Sequence, residues 1–329
     1  MSSSDASAIA AWNSTSAAIN RYFSIFVYFF GTVGNILNIL VLSQRNLRGN
    51  PCSIYFLISS LANLVAIVSG LTTRVLSGWA VDLTNTIDWL CKLRAFVLFI
   101  SRNIGSWLIL LAAIDRWLLS HPDAQRRQWS SLKNAYRGMA VSALLSIILY
   151  SPILYCYQAN LTNAPLRCYG KDDLCRLTND LIYAVLTIAL PIILMFIFGL
   201  MTIINIRQIK NRVQTTSTTE VHTNTGQGTE LSKKKLDRRL FLMLAFQIVL
   251  LSLFTLPQAG QKLYSTLVSD AGQTALKKAI DNFIFNLLLL FTYLANGMSF
   301  YIYTLSGGTI FRDTLKDLTR KIFSCVRCP

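Results

Sequence analysis

Arg102 sits inside an apolar run, residues 95–114, and is the only charged side chain in any of seven such runs along this 329-residue chain. A guanidinium at bilayer depth is costly unless it faces a watery cavity or a partner. The chemistry it offers is anion binding, as an anchor for a ligand carboxylate from a peptide C-terminus or an acidic side chain. The competing reading is an arginine satisfied by backbone carbonyls and neighbours such as Asn286. Fourteen residues on, nearly four helical turns and so on a similar face, Asp115-Arg116-Trp117 follows the same run. Most other chemistries are missing. The two histidines, His121 and His222, lie between runs, which leaves no Ser–His hydrolase or His-ligated metal site within them. No run holds an Asp or Glu, which argues against a paired-carboxylate protease and against a proton relay. No Walker A sequence occurs. The expectation is a protein that is not an enzyme and needs no cofactor or metal.

Composition says what must carry these residues. Hydrophobic residues make up 53% and charged residues 14%, against about 25% charged in an ordinary soluble domain. About 20 helical residues cross a bilayer, and only a helix satisfies its own backbone there. The expected spans are 22–44, 51–73, 92–117, 138–158, 181–206, 236–261 and 282–305. The fold class is therefore all-α, a seven-transmembrane helix bundle over residues 22–311, after an N-terminal segment 1–21 and before a tail 312–329. Residues 309–323 read as a short amphipathic surface helix, with Phe311, Leu315, Leu318 and Ile322 on one face.

The net charge of +16 lies in short segments between runs, a distribution that does not suit nucleic acid. Segments 45–50, 115–137, 207–239 and the tail after Phe311 carry 20 of the 31 Lys and Arg residues. The positive-inside rule puts them in the cytoplasm and the N-terminus outside. The sequons at Asn13 and Asn160 both fall on the outer face, where glycosylation occurs. Residues 1–20 lack the basic and apolar regions of a cleavable signal, so the first span is expected to direct its own insertion. Cys91, Cys156, Cys168 and Cys175 lie on or near the oxidising side, where disulfides persist. Cys325 and Cys328, in the tail, are palmitoylation candidates.

Several motifs stand in a specific order. Gly34-Asn35 lies in the first span and Ser60-Leu61-Ala62-Asn63 in the second. Cys91 precedes Arg116 by about 37 Å of helix. Pro152, Pro191 and Pro257 fall in spans four, five and six. In these features residues 22 to 320 resemble the rhodopsin-like (class A) G-protein-coupled receptors, and they are similar to invertebrate neuropeptide receptors lacking the span-seven proline. Departures from the family pattern include Gly199 for the span-five tyrosine, Thr255 for the span-six tryptophan and the lack of Asn-Pro-x-x-Tyr. Two registers remain for that last motif, 296–300 or 299–303, and the second keeps Tyr303.

The resemblance implies roles. Asp115, Arg116, Trp117 and Tyr303 would form the activation switch, with a resting Arg116–Asp237 pair holding spans three and six together. Asn35, Asn63, Asn296 and Ser299 would be core polar residues, and Pro191 and Pro257 kinks. Cys91 would pair with Cys168, with Cys175 as the alternative, while Cys156 and Cys175 would bridge or stay free. Arg74, Leu98, Gln258, Gln261 and Asp281 would share the ligand mouth with Arg102. Leu98 stands where amine receptors carry aspartate and Tyr293 where opsins carry lysine, which excludes monoamines and retinal. Asn63 and Gly105 replace the Asp and Ser of the internal sodium site, so sodium modulation should be weak.

The implied function is a plasma-membrane, multi-pass receptor that couples an extracellular peptide to a heterotrimeric G protein. Arrestin and membrane lipid would be further partners. The alternatives are a lipid or small organic-acid receptor, a seven-span facilitator or channel, and a non-signalling receptor-like protein.

Overall fold

In the computed structural model, the described residues are 3–77, 79, 81–162, 166–216, 227–268, 274–306, 311–313, 315–316 and 320. Their side chains are described except at 3–4, 46, 209–216, 227–237 and 306. Seven helices among them are long and apolar enough to cross a membrane: α1 (Asp5–Leu42), α2 (Pro51–Ser77), α3 (Asp88–Leu119), α4 (Leu132–Cys156), α5 (Asp173–Gln208), α6 (Arg238–Leu267) and α7 (Ala275–Gly297). A final helix, α8 (Ser299–Ser306), follows a break at Met298. Between α4 and α5 a two-stranded antiparallel ribbon pairs β1 (Tyr157–Gln158) with β2 (Tyr169–Gly170). The sequence's turn chemistry marks several starts. Ser131, Asp172 and Thr274 each turn a side-chain oxygen to the backbone N–H three residues on, at the heads of α4, α5 and α7, satisfying a donor the helix cannot.

The bundle is apolar outside and has a largely apolar core threaded with polar side chains, because packing and interhelical hydrogen bonds replace the hydrophobic effect in lipid. Leu144, Leu145 and Ile148 of α4 point outward. Inside, Asn38 donates to Ser60 at 2.5 Å, Asn103 to Ser146 at 2.8 Å and Thr187 to Asn103 at 2.8 Å. Where α1 meets α7 the backbones nearly touch. A Cβ on Gly297 would stand 2.7 Å from the Gly31 Cα, so only glycine permits this crossing. It lets the Asn35 amide donate to the Asn296 carbonyl at 3.2 Å.

Two expectations need correction. Residues 5–21 are not a separate segment but part of α1, with a π-helical turn over Ile19–Phe23. They lie against α7, Trp12 meeting Phe283 at 5.0 Å. The stretch is Ala-rich, which favours helix, yet a search for apolar runs passes over it. Second, helices do not stop at the first charge. α5 begins before Asp180 and α6 continues past Lys262, and both residues are buried, as is Arg74 on α2. Arg102 is therefore not the only charge inside the bundle, and a carboxylate is present there as well.

Candidate functional site

The sulfur atoms of Cys91 and Cys168 are 2.03 Å apart and those of Cys156 and Cys175 2.09 Å. The first bridge ties the β-ribbon to the head of α3, and the second ties the end of α4 to the head of α5. Asp88 adds to the clamp by accepting from the Ala159 N–H at 3.1 Å. Asn160, at a left-handed φ of 61°, stays exposed while its amide donates to the Thr86 carbonyl. Left-handed backbone is tolerated by Asn better than by most residues, so this corner suits the residue found there. Asn13 is exposed on α1.

Beneath the ribbon lies a cavity of about 60 Å³, lined among others by Arg74, Arg94, Leu98, Arg102, Gln258 and Lys262. In this conformation it is smaller than the usual ligand site of about 300–1,000 Å³. Arg102 is 7% exposed. One guanidinium nitrogen donates to the Tyr183 hydroxyl at 3.0 Å, and the group lies 4.3 Å above the Tyr293 ring. Its Nε and Nη2 have no hydrogen-bond partner. Tyr293 reaches this position because Gly70 has no side chain, since a Cβ there would fall 1.9 Å from the Tyr293 hydroxyl. Asn286 is not a partner of Arg102. It accepts from Arg74 at 2.5 Å, beside Asn20 at 3.3 Å, and Arg74 Nη2 is left unpaired. Gln258 lines the cavity with an unpaired Oε1, whereas Gln261 and Asp281 lie outside its lining.

The sequence reading missed Lys262 and Asp180. Their ammonium and carboxylate meet at 2.6 Å with side chains 4% and 1% exposed. The other Asp180 oxygen accepts from Tyr169 at 3.1 Å and from Thr266 at 2.5 Å. Lys262 also lies over the rings of Phe99 at 4.7 Å and Tyr183 at 5.0 Å, where the ring quadrupole attracts a cation. This brace joins α5, α6 and the ribbon. The available signal was their place directly at the edges of apolar runs, where a helix carries a charge inward by one more turn. Burial, then the Asp180 charge, pushes the Tyr157 and Tyr169 hydroxyls well above the usual phenol range, so both stay protonated, Tyr169 donating to Asp180 and Tyr157 accepting from the Asn179 amide at 3.2 Å.

At the opposite end of α3, Arg116 and Asp115 are 3% and 4% exposed. Arg116 donates to Asp115 through Nη2 at 2.6 Å and through Nε at 3.2 Å, and to Asn50 at 3.1 Å. Ser130 closes on the other Asp115 oxygen at 2.6 Å. Trp117 turns to Phe198, 5.2 Å away. The Asp237 side chain lies outside the described residues, and so does any Arg116–Asp237 pair. Tyr303 is buried, donates to Gln247 and packs on Phe56 at 4.8 Å, and Gln247 donates on to Ser299 at 3.3 Å. Phe311 packs on Phe300 and Tyr303. Leu318, Ile322, Cys325 and Cys328 lie outside the described residues. Pro257 stands within α6 and Pro191 within α5, just after a π-helical stretch Tyr183–Ala189.

The sequence has relatives. The chain is similar to galanin receptor type 2 of Homo sapiens, with 24% identity over 193 residues, which cover 54% of this chain and 48% of that receptor. The Rattus norvegicus galanin receptor type 2 gives 24% identity over the same length and is covered to 50%. The chain thus spans about half the length of the relatives it matches. The model of the seven-transmembrane receptor family, rhodopsin type, matches residues 34–300, a stretch containing both bridges, the brace, Asp115-Arg116-Trp117 and the asparagine contacts of α1 and α7. With most of its length matched, this chain is a multi-pass membrane protein that belongs to the rhodopsin family of seven-transmembrane receptors.

Proposed function

We propose that the protein is a plasma-membrane receptor for a peptide carrying an acidic group, and that it activates a heterotrimeric G protein. The observation that carries this reading is the cavity beneath the ribbon. It presents the guanidinium groups of Arg74, Arg94 and Arg102, and no carboxylate lines it among the described residues. Such a cleft concentrates anions and steers them inward. The ribbon end faces outside and the Arg116 end the cytoplasm, following the distribution of basic residues and the sequons at Asn13 and Asn160, which are glycosylated. The names of the galanin receptors support a receptor role.

The ligand carboxylate pairs with the open Nε and Nη2 of Arg102 in a two-pronged contact, the geometry a guanidinium favours. It thereby favours the receptor state in which α6 stands further from α3, because a ligand shifts an equilibrium by its differential affinity for the two states. Arg116 and the basic loops then engage the G protein, and later arrestin. Palmitate on Cys325 and Cys328 holds the tail at the lipid surface.

A library of acidic peptides tested for nucleotide exchange on purified G proteins decides the matter. Ligand-driven exchange is expected, and Arg102→Gln should reduce peptide potency at least tenfold with surface expression retained. Silence with every G-protein class overturns the proposal.

A further inference from the structure

Arg102 and Tyr183 line a second, deeper cavity as well, together with Asn63, Ser106, Gln247 and Asn296. No Asp or Glu is in its lining among the described residues. Donors there are uncommitted. Arg102 Nε and Nη2 have no hydrogen-bond partner, and Asn63 and Asn296, 6% and 8% exposed, line the same cavity with their side-chain amides. Gly105 opens the space beside Asn63, since a Cβ there would stand 2.8 Å from the Asn63 Oδ1.

A positive charge buried without a counter-charge is costly, and the Tyr293 ring offsets only part of it. A metal cation entering this cavity would meet the guanidinium and no carboxylate. An anion meets a cation and two amide donors, which would form charge-assisted hydrogen bonds.

We propose that this cavity is an anion site, occupied in the ligand-free receptor by chloride held by Arg102 with the amides of Asn63 and Asn296. A peptide carboxylate shares this chemistry and reaches the same guanidinium from the cavity under the ribbon, so chloride neutralises Arg102 until ligand displaces it. This last step rests on the proposed function, whereas the site itself does not.

The test uses the purified full chain in detergent without peptide, its thermal unfolding midpoint followed in sodium chloride, bromide, acetate and gluconate at equal ionic strength. The midpoint should rise saturably in chloride and bromide relative to gluconate. The rise should vanish in Arg102→Gln and in Asn63→Asp, which supplies a carboxylate of its own. Should Arg102→Gln fail to fold, Asn63→Asp alone decides. Equal midpoints in chloride and gluconate, or the same chloride-dependent rise in the variants, overturn the site. Acetate stabilising while chloride does not would assign the cavity to carboxylates and overturn the halide. Any of these failures leaves peptide-driven nucleotide exchange as a separate result.

Discussion

Replacing Asp180 by Asn keeps shape and removes one charge, leaving the Lys262 ammonium in a site where its side chain is 4% exposed. Breaking a buried pair by neutralising one member costs about 3–5 kcal/mol, because the remaining charge is stranded. The rings of Phe99 and Tyr183 hold part of the stranded charge, a desolvated cation–π contact being worth about 2 kcal/mol, so a net loss of about 1–3 kcal/mol is expected. At about 2 °C per kcal/mol, the lower end of the range for a chain of 150–250 residues, the unfolding midpoint should fall by about 2–6 °C. The opposite variant, Lys262→Met, should fall less, because Asp180 keeps the hydroxyls of Tyr169 and Thr266. The double variant removes both charges and should lie closer to wild type than Asp180→Asn does. The assay is thermal unfolding of detergent-solubilised receptor, all four proteins measured as one cycle. An unchanged midpoint in Asp180→Asn, or a double variant showing the sum of the single losses, would refute the brace as an electrostatic device.

Gly70→Ala drives a methyl group into the Tyr293 hydroxyl; Tyr293 must leave Arg102, and ligand potency should fall at least as far as in Arg102→Gln, read from dose–response curves corrected for surface receptor. Asp115→Asn weakens the hold on Arg116 and the contact with Ser130; ligand-free nucleotide exchange should rise several-fold, and an unchanged basal rate contradicts a restraining role. Gln247→Leu removes one partner of the buried Tyr303 hydroxyl and leaves it Ser299, at a cost of about 1 kcal/mol; a lowered unfolding midpoint is expected, with Tyr303→Phe in the same background restoring part of it.

The sequence revealed membrane elements better than it revealed the interior. Seven apolar runs were legible because lipid imposes a length and a polarity that few other settings require. Arg102 stood out for the same reason, as a charge within such a run. The ends of the runs are less legible. Asp180 lies one residue before the run at 181 and Lys262 one residue after the run ending at 261, and the helices carry both inward to meet each other. Periodicity on a single helix gives no hint of a partner on another. The competing reading of Arg102 names Asn286 as a possible neighbour, and Arg74 holds that residue instead, since the choice depends on rotamers that sequence does not express. The helical start of α1 was hidden for a different reason: Ser and Ala are neutral in a hydropathy reading but compatible with helix.

One helix carries Cys91, Arg102 and Arg116, all three buried, which restricts how ligand and G protein could communicate. α3 is unbroken from Asp88 to Leu119 and packs along α2 and α5, so it is poorly suited to bending. Under the proposed function the moving part must lie beside it. α6 meets that requirement at every level: Lys262 in the brace, Gln258 at the ligand cavity, and Gln247 holding Tyr303 and Ser299 of α8. Pro257 lies between the ligand-side and Tyr303-side contacts, and a proline inside a helix removes a backbone hydrogen bond and lets the axis bend. Arg102 is joined to α6 through Tyr183, whose hydroxyl accepts from the guanidinium and whose ring lies under the Lys262 ammonium. Under the proposed function, a change of charge at Arg102 would reach α6 by this contact, with α3 as the fixed reference against which α6 moves.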